Sequence, residues 1–207
     1  MSVRIKYPRT YHFPWSPGLQ NDDRRLETTD FFMGQEIVVT TKMDGECTTI
    51  YQDHIHARSI DSGYHESRDY VKGVWGRIKS DIPEGFRVCG ENLYAQHSIP
   101  YDNLEDYFLG FSVWNGDICL GWNETQEWFS LLGIESVPVL YEGIYDEDFL
   151  RSLDIGDTEG YVVRLREPFT YEEFNVKVGK YVRKNHIQTS EHWMTQKVVP
   201  NKLKGDQ

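Results

Sequence analysis

The sequence predicts an α+β domain built on antiparallel sheets with flanking helices. Short runs rich in β-branched and aromatic residues, separated by turn signals, outnumber the segments with helical periodicity. At 207 residues, with 39% hydrophobic and 14% aromatic residues, the chain can bury a substantial core. It contains no repeat, low-complexity tract or linker, so we expect a single domain over residues 1–207.

Residues 1–35 predict a packed N-terminal arm, followed by strands. Several prolines and no periodicity indicate extended chain, which Tyr11, Phe13 and Trp15 would pin to the core. Strands are predicted at 36–41, 47–51 and 55–59. Asp44-Gly45 lies between the first two, and a polar turn at 52–54 precedes the third. The pattern therefore predicts a meander whose first two strands are joined by a hairpin or a tight connection.

Helices and strands are mixed along the rest of the chain. Apolar residues at Val71, Val74 or Trp75, and Ile78 predict a helix, which Pro83 and Gly85 would end. Asn115-Gly116 between two apolar runs is the strongest hairpin signal. The remaining predictions are a strand or strand pair at 86–95, a helix at 124–134 capped by Asn123, a short helix at 146–154, strands at 159–167 and 175–184, and a final amphipathic segment at 191–199 capped by Thr189 or Ser190.

The distribution of charge qualifies what the net charge suggests. A net charge of −11 argues against a nucleic-acid partner, because phosphate binding usually leaves a basic footprint. Residues 164–207, however, hold nine Lys or Arg against five Asp or Glu, whereas residues 1–163 hold 13 against 28. We therefore expect a basic C-terminal tail at 184–207 that contacts a polyanion. Alternatively, Trp193, Met194, Val198 and Val199 would form an apolar face that packs on the core.

Cysteine usage and hydropathy indicate the compartment. Cys47, Cys89 and Cys119 are odd in number and lack a CxxC spacing, which argues against a disulfide framework or a zinc knuckle. No run approaches the roughly 18 apolar residues of a membrane span, and no apolar segment follows the N-terminal charges. We expect a cytoplasmic protein with no membrane partner.

Polar and aromatic residues recur at the predicted strand ends. In chain order they are Lys42 and Asp44 in KMDG, Glu91 in GENLYA, Phe111 in GFSVW, Glu159 in EGYVVR, and Lys177, Lys180 and Arg183 in VKVGKYVRK. In this order the motifs resemble those of the covalent nucleotidyltransferases, the superfamily of polynucleotide ligases and capping enzymes. The resemblance extends from Lys42 to Lys180, roughly two-thirds of the chain.

The closer resemblance is to the small ATP-dependent RNA ligases, whose relatives show runs similar to YPRTYHFPWSP, HARSIDS, ESRDYVK and VRKNHIQTSEHWM. Two features depart from the pattern. The closing lysines of the superfamily are often two residues apart, whereas Lys177, Lys180 and Arg183 are three apart. Only 41 residues precede Lys42 and 24 follow Arg183. The resemblance thus implies an antiparallel-sheet nucleotidyltransferase core without an accessory oligonucleotide-binding domain.

The resemblance implies a three-step reaction on ATP and on RNA or RNA-containing duplex ends, carried out by a monomer. Lys42 takes AMP from ATP, the AMP passes to a 5′-phosphate, and a 3′-hydroxyl then displaces it. The implied site consists of Asp44, Glu91 and Glu159 as ligands of Mg²⁺ (with Mn²⁺ as an alternative), Glu91 also at the ribose, Phe111 on adenine, Arg58 at a ribose or 3′-terminal nucleotide, and Lys177 and Lys180 at the phosphates. The alternative role of Phe111 is packing in the core. For Arg164, the alternative to a place in the site is that of a surface cation.

The chemistry of lysine sets a requirement on Lys42. An attacking amine must be unprotonated, yet a free lysine has a pKa of about 10.4. Desolvation or nearby cations must therefore lower the pKa of Lys42, and Lys177, Lys180 and Mg²⁺ would supply that positive field. The same cations would stabilise charge on the phosphoryl oxygens and the departing pyrophosphate.

Three other functions remain open at this stage. His54 and His56 form an H-x-H that would place two imidazoles on one strand face, as in a zinc or two-metal hydrolase. A degenerate core that only binds nucleic acid is a second alternative. Within the superfamily, a DNA ligase or a capping-type enzyme is the third.

Overall fold

The protein is described by a computed structural model over residues 3–20, 22–184 and 197–205. Within these ranges the chain is mostly sheet with a few short helices, which confirms the predicted α+β class. The strands are β1 (Tyr11–His12), β2 (Glu36–Lys42), β3 (Glu46–Ile50), β4 (Ile55–Ala57), β5 (Phe86–Asn92), β6 (Phe108–Asn115), β7 (Ile118–Cys119), β8 (Glu135–Ser136), β9 (Val139–Ile144), β10 (Gly160–Leu165), β11 (Phe169–Thr170) and β12 (Val178–Val182). The helices are α1 (Asp69–Ile78), α2 (Trp122–Leu132), α3 (Glu147–Ser152) and α4 (Phe174–Lys177).

The strands form two sheets. The first has the order β1-β12-β10-β2-β9, in which only the β1–β12 pair is parallel among the described strands. The second has the order β11-β7-β6-β5-β3-β4, with β8 added in parallel to β6. Because β2 and β3 follow each other in the chain but belong to different sheets, the chain crosses between the sheets directly after Lys42.

The core lies on both faces of the second sheet. One cluster joins the two sheets and includes Val39 and Val163 from the first and Cys89 from the second. On the opposite face, α1 and α2 pack against the second sheet, with Val88 among the buried residues. Cys89 and Val88 are neighbours on β5, so the alternation of a strand sends one to each core. This arrangement leaves the polar strand ends between the sheets.

Of the two connections predicted at Asp44-Gly45, the hairpin is wrong and the tight connection is confirmed, since only three residues join β2 to β3. β2 pairs with β9 and β10, whereas β3 pairs with β4 and β5, so only the second half of the predicted meander forms. Gly45 is needed for a close backbone approach: a Cβ atom there would lie 2.6 Å from the carbonyl oxygen of Asn92. The sequence signal was therefore correct about the glycine and wrong about the reason for it.

Other elements agree with the sequence to different degrees. The Asn115-Gly116 hairpin is confirmed, since β6 pairs with β7 and Gly116 has a φ of 57°. The helix predicted at 124–134 begins earlier, with Gly121 rather than Asn123 at its N-cap. The strand predicted at 175–184 begins only at Val178, because Phe174–Lys177 forms a helical turn. None of the described helices is long and apolar enough to cross a membrane.

A C-terminal clasp, which we define as residues 197–205, packs on the loop at 93–104. Asn201 is buried; its side chain donates to the Leu93 carbonyl (2.7 Å) and accepts from the Tyr101 amide (2.9 Å). The amide of Gln96 donates to the carbonyl of Val199 at 2.8 Å. This part of the predicted basic tail therefore holds a loop of the core, and the predicted segment with Trp193 and Met194 lies outside the described residues.

Candidate active site

A cavity of roughly 440 Å³ opens between the two sheets. β2, β10 and β12 contribute Lys42, Val162 and Lys180 from the first sheet, and β5 and β6 contribute Glu91 and Phe111 from the second. A volume in this range suits a nucleotide-sized ligand. The polar strand ends singled out in the sequence thus meet at one place.

Lys42 lies at the end of β2, where the chain leaves the first sheet. Its Nζ donates to Oε2 of Glu159 at 2.7 Å, and the side chains are 24% and 4% exposed. Burial by itself lowers the pKa of Lys42, but the carboxylates of Glu159 and Glu91 outweigh burial, so the pKa is raised above its ordinary value. Carboxylates rather than cations surround the amine in the ligand-free protein, so the lowered pKa that was predicted with bound Mg²⁺ stays a prediction.

Glu91 lies on β5 and faces Lys42 from the second sheet. Its Oε1 accepts a hydrogen bond from the Gly45 amide at 3.2 Å. Burial raises the pKa of Glu91 to about 8; Lys42 opposes this shift, and the charges of Glu159 and Asp44 add to it. The carboxyl group is therefore poised to gain or lose a proton near neutral pH.

Asp44 holds the loop that the C-terminal clasp supports. Its Oδ2 accepts hydrogen bonds from the amides of Ser98 (2.8 Å) and Ile99 (2.9 Å), and its own amide donates to the Tyr101 hydroxyl (2.9 Å). Met43 and Gly45, on either side of it, line the cavity. These contacts position the turn directly after Lys42.

Lys180 enters the cavity from β12 and pairs with the N-terminal arm. Its Nζ lies 3.2 Å from Oδ1 of Asp23, and the other oxygen of Asp23 lies 3.0 Å from Nε2 of His12. Burial lowers the pKa of His12 to about 4, and the charge of Lys180 adds to this shift. His12 is therefore neutral at pH 7, so its contact with Asp23 is not an ion pair, and among the described residues its Nε2 has no partner at hydrogen-bond geometry.

An aromatic and apolar region forms the deeper part of the wall. Phe111 packs edge-on against Tyr7 with ring centroids 5.1 Å apart, and both residues line the cavity. Arg164 is buried rather than a surface cation: its Nη2 donates to the Leu120 carbonyl at 2.6 Å, and its guanidinium lies over Trp122. This region offers a flat apolar surface beside a buried positive charge.

The other predicted site residues lie partly in the cavity wall and partly outside it. Arg58 lines the cavity, as predicted. Lys177 ends α4 and lies outside the described cavity wall, because the chain at this point is helical rather than a strand. Arg183 follows β12, and its amide donates to the carbonyl of Glu159 at 3.0 Å. The roles proposed for all these residues stay predictions.

The carboxylates of the cavity fit a divalent cation whose coordination shell a ligand completes. Within the described residues, no group of three or more His, Cys, Asp or Glu side chains is suited to hold a metal ion. Glu91 and Glu159 nevertheless line the cavity together. Mg²⁺ commonly takes one or two carboxylates and completes its shell with water and substrate phosphates. The two carboxylates fit such an ion, whereas Asp44 is engaged by backbone amides.

The alternative metal site at His54 and His56 is not supported. Nδ1 of His54 pairs with Asp53 at 2.7 Å, and Nδ1 of His56 donates to the Ala57 carbonyl at 2.6 Å. Both rings pack on Tyr51. The part of the chain that the structure describes brings no third ligand to them.

Sequence reasoning missed the contribution of the N-terminal arm. Tyr7, Arg9, His12 and Asp23 all line the cavity, although the sequence predicted only a packing role for this segment. The charged residues that accompany the aromatic ones in this arm were the available signal. β1 explains their position, because it pairs His12 directly with Lys180 in parallel.

A strand-end lysine between two sheets, faced by carboxylates in a nucleotide-sized cavity, defines a nucleotidyltransferase-type architecture. The family model described as RNA ligase matches residues 35–182, which is more than half of the chain. The chain therefore belongs to the RNA ligase family. No curated protein sequence matches it.

Solved structures support the same fold. Naegleria gruberi RNA ligase with PPi is 20% identical, with a TM-score of 0.53, over 75% of this chain and 51% of that one. A mutant of that ligase with ATP and Mn is 16% identical, with a TM-score of 0.51, over 86% and 60%. Another mutant, with AMP and Mn, is 18% identical, with a TM-score of 0.51, over 75% and 52%. The chain spans about half to three-fifths of the length of these structures.

Proposed function

We propose that this protein is an ATP-dependent RNA ligase that joins 3′-hydroxyl and 5′-phosphate ends through a lysyl-AMP intermediate. The observation that carries the proposal is the position of Lys42, whose amine lies in the inter-sheet cavity between Glu159 and Glu91. ATP and AMP appear with Mn in the similar Naegleria structures, which supports a nucleotide in the same cavity.

In the first step the amine of Lys42 attacks the α-phosphorus of ATP. A phosphorus–nitrogen bond forms, the bond between the α-phosphorus and the bridging oxygen breaks, and pyrophosphate leaves. Lys42 must first lose a proton, and Glu159 Oε2, 2.7 Å away, is placed to accept it. A Mg²⁺ or Mn²⁺ ion at Glu91 and Glu159 would supply positive charge that lowers the pKa of the amine and neutralises the triphosphate.

Other residues of the chain bind and orient the nucleotide. Lys180 would donate to phosphate oxygens, and Phe111 would stack on the adenine ring. Arg58, across the cavity, would contact a ribose or the 3′-terminal nucleotide. Asp44 would act by fixing the turn after Lys42. Each role follows from a side chain's position in the wall or beside it.

The next two steps transfer and release AMP. An oxygen of an RNA 5′-phosphate attacks the phosphorus of lysyl-AMP, and Lys42 leaves as the amine. The 3′-hydroxyl of the second end then attacks the 5′-phosphorus and displaces AMP, which seals the strand. We propose that this activity serves RNA repair and that the protein acts as a cytoplasmic monomer.

Covalent labelling tests the proposal. Purified protein is incubated with α-labelled ATP or α-labelled GTP and Mg²⁺ or Mn²⁺, without nucleic acid, and then denatured. We expect label on the protein from ATP, and none on Lys42→Arg, because guanidinium stays protonated. Label from GTP alone would indicate a capping-type enzyme. The absence of any label on the parent protein would refute the ligase proposal.

A panel of nicked, splinted and single-stranded ends then identifies the substrate. We expect sealing of RNA or RNA-containing ends, with adenylylated 5′ ends appearing transiently. Sealing of all-DNA nicks with no joining of RNA ends would identify a DNA ligase instead. Labelled protein that joins no end would refute the last two steps alone.

A further inference from the structure

Asp23 is the centre of a hydrogen-bonded network inside the cavity. Its Oδ1 pairs with Nζ of Lys180 at 3.2 Å, and its Oδ2 lies 3.0 Å from Nε2 of His12. His12 is fully buried, and the side chains of Asp23 and Lys180 are 19% and 16% exposed. The carboxylate therefore ties the N-terminal arm to a cation of the first sheet.

The network closes on the strand that carries Lys180. Nδ1 of His12 lies 2.8 Å from Oγ of Ser16, which in turn accepts the amide of Val182 at 2.9 Å. Oδ2 of Asp23 itself accepts the amide of Gln20 at 3.1 Å. The arm thus contacts β12 at two places, through Asp23 at Lys180 and through Ser16 at Val182.

Lys180 lies among both positive and negative charges. Asp23 and His12 face it from the arm, Lys42 from β2, and Glu159 from the loop before β10. Burial lowers the pKa of Lys180; Asp23 opposes that shift, while Lys42 adds to it. A lysine side chain has large rotamer freedom, so a fixed carboxylate is needed to hold its amine at one place.

We infer that Asp23, whose Oδ2 accepts the amide of Gln20 at 3.1 Å, is a positioning residue that holds the ammonium group of Lys180 for contact with the phosphates of ATP. This inference rests on the proposed ligase function and deepens it. It assigns the N-terminal arm a part in nucleotide binding. Asp23 touches neither the α-phosphorus nor the attacking amine in this scheme, and it acts only through Lys180.

The test compares Asp23→Asn with a matched control. Asp53→Asn removes the carboxylate from a second Asp–His pair, at Asp53 and His54, which lies outside the described cavity wall. Asp23→Asn keeps the size of the side chain and removes the charge opposite Lys180. The rate of self-adenylylation is measured as a function of ATP concentration and of pH.

We expect Asp23→Asn to raise the KM for ATP roughly tenfold or more, because a charged hydrogen bond is lost. It should also shift the alkaline fall of the rate to lower pH, since Asp23 raises the pKa of Lys180 and the unprotonated amine binds phosphate poorly. Asp53→Asn should leave both quantities unchanged. A uniform loss of rate at every pH would indicate a merely structural role and overturn the inference.

Two further variants keep the inference falsifiable. In a Lys180→Met background, Asp23→Asn should have no additional effect on KM, and a full additional effect would overturn the inference. If Asp23→Asn does not fold, Asp23→Glu, which keeps the charge and displaces the carboxylate relative to Lys180, should give a smaller rise in KM; an unchanged KM would overturn the inference. If the parent protein takes no label, the ligase proposal is refuted. If the parent is labelled and Asp23→Asn has the same KM for ATP and the same pH dependence, this inference alone is refuted.

Discussion

Lys42→Met should destabilise the protein as well as abolish self-adenylylation. The variant leaves the carboxylate of Glu159, which is 4% exposed, without the ammonium group that lies 2.7 Å away. Breaking a buried ion pair in this way costs about 3–5 kcal/mol. The Lys42 side chain is 24% exposed, so water can enter and solvate Glu159, and we expect the lower end, about 3 kcal/mol. For a protein of this size that is a fall in Tm of about 6–12 °C.

A double-mutant cycle separates stability from chemistry. Lys42→Met/Glu159→Gln removes both charges and should recover to within about 1 kcal/mol of the parent protein. It should remain unable to form lysyl-AMP. Urea denaturation at pH 7 gives the free energies of unfolding, and labelling with α-labelled ATP gives the activity. If Lys42→Met alone were as stable as the parent, the ion pair with Glu159 would be refuted. Label on Lys42→Met or on the double variant would refute Lys42 as the nucleophile.

Three further changes test other parts of the site. The pKa of Glu91 is raised from 4.5 to about 8, so its contribution to stability is full below pH 4.5 and is lost as the pH rises through about 8. Glu91→Gln should abolish that loss in urea denaturation between pH 5 and 9, and an unchanged slope would show that another group titrates. Phe111→Ala should raise the KM for ATP roughly ten- to a hundredfold, as expected for a lost stacking contact, while Phe111→Tyr stays close to the parent. Equal KM values for all three proteins would assign Phe111 to packing. Asn201→Ala should cost about 2–3 kcal/mol, because the Leu93 carbonyl and the Tyr101 amide lose their buried partner, and should slow self-adenylylation. The neighbouring exposed Lys202→Ala is the control, and equal effects of the two changes would contradict the role of Asn201.

Local sequence patterns predicted most of the elements but not the pairing of β2. The β-branched runs located β2, β3 and β10, and Asn115-Gly116 located a hairpin, because these signals depend on residues close in the chain. Asp44-Gly45 carried the same hairpin signal. There the glycine serves a contact with Asn92, 47 residues later, which no local pattern contains.

The candidate site was predicted unevenly for the same reason. Motif order brought Lys42, Glu91 and Glu159 to one cavity. Their net electrostatic effect depends on distances that the sequence does not contain, and in the ligand-free protein the carboxylates raise the pKa of Lys42. The contribution of Asp23 depends on the parallel pairing of β1 with β12, which joins residues 168 positions apart.

The order of synthesis determines when the C-terminal clasp can form. Val182 is the last residue of the described cavity wall, so a growing polypeptide holds the whole wall before Asn201 has been translated. The loop that binds Asp44 lacks its buried hydrogen-bond partner until then. Because synthesis runs from the N-terminus, the cavity of a chain still on the ribosome contains Lys42 beside an unsecured turn. The segment that secures that turn is thus translated after all the residues of the described cavity wall.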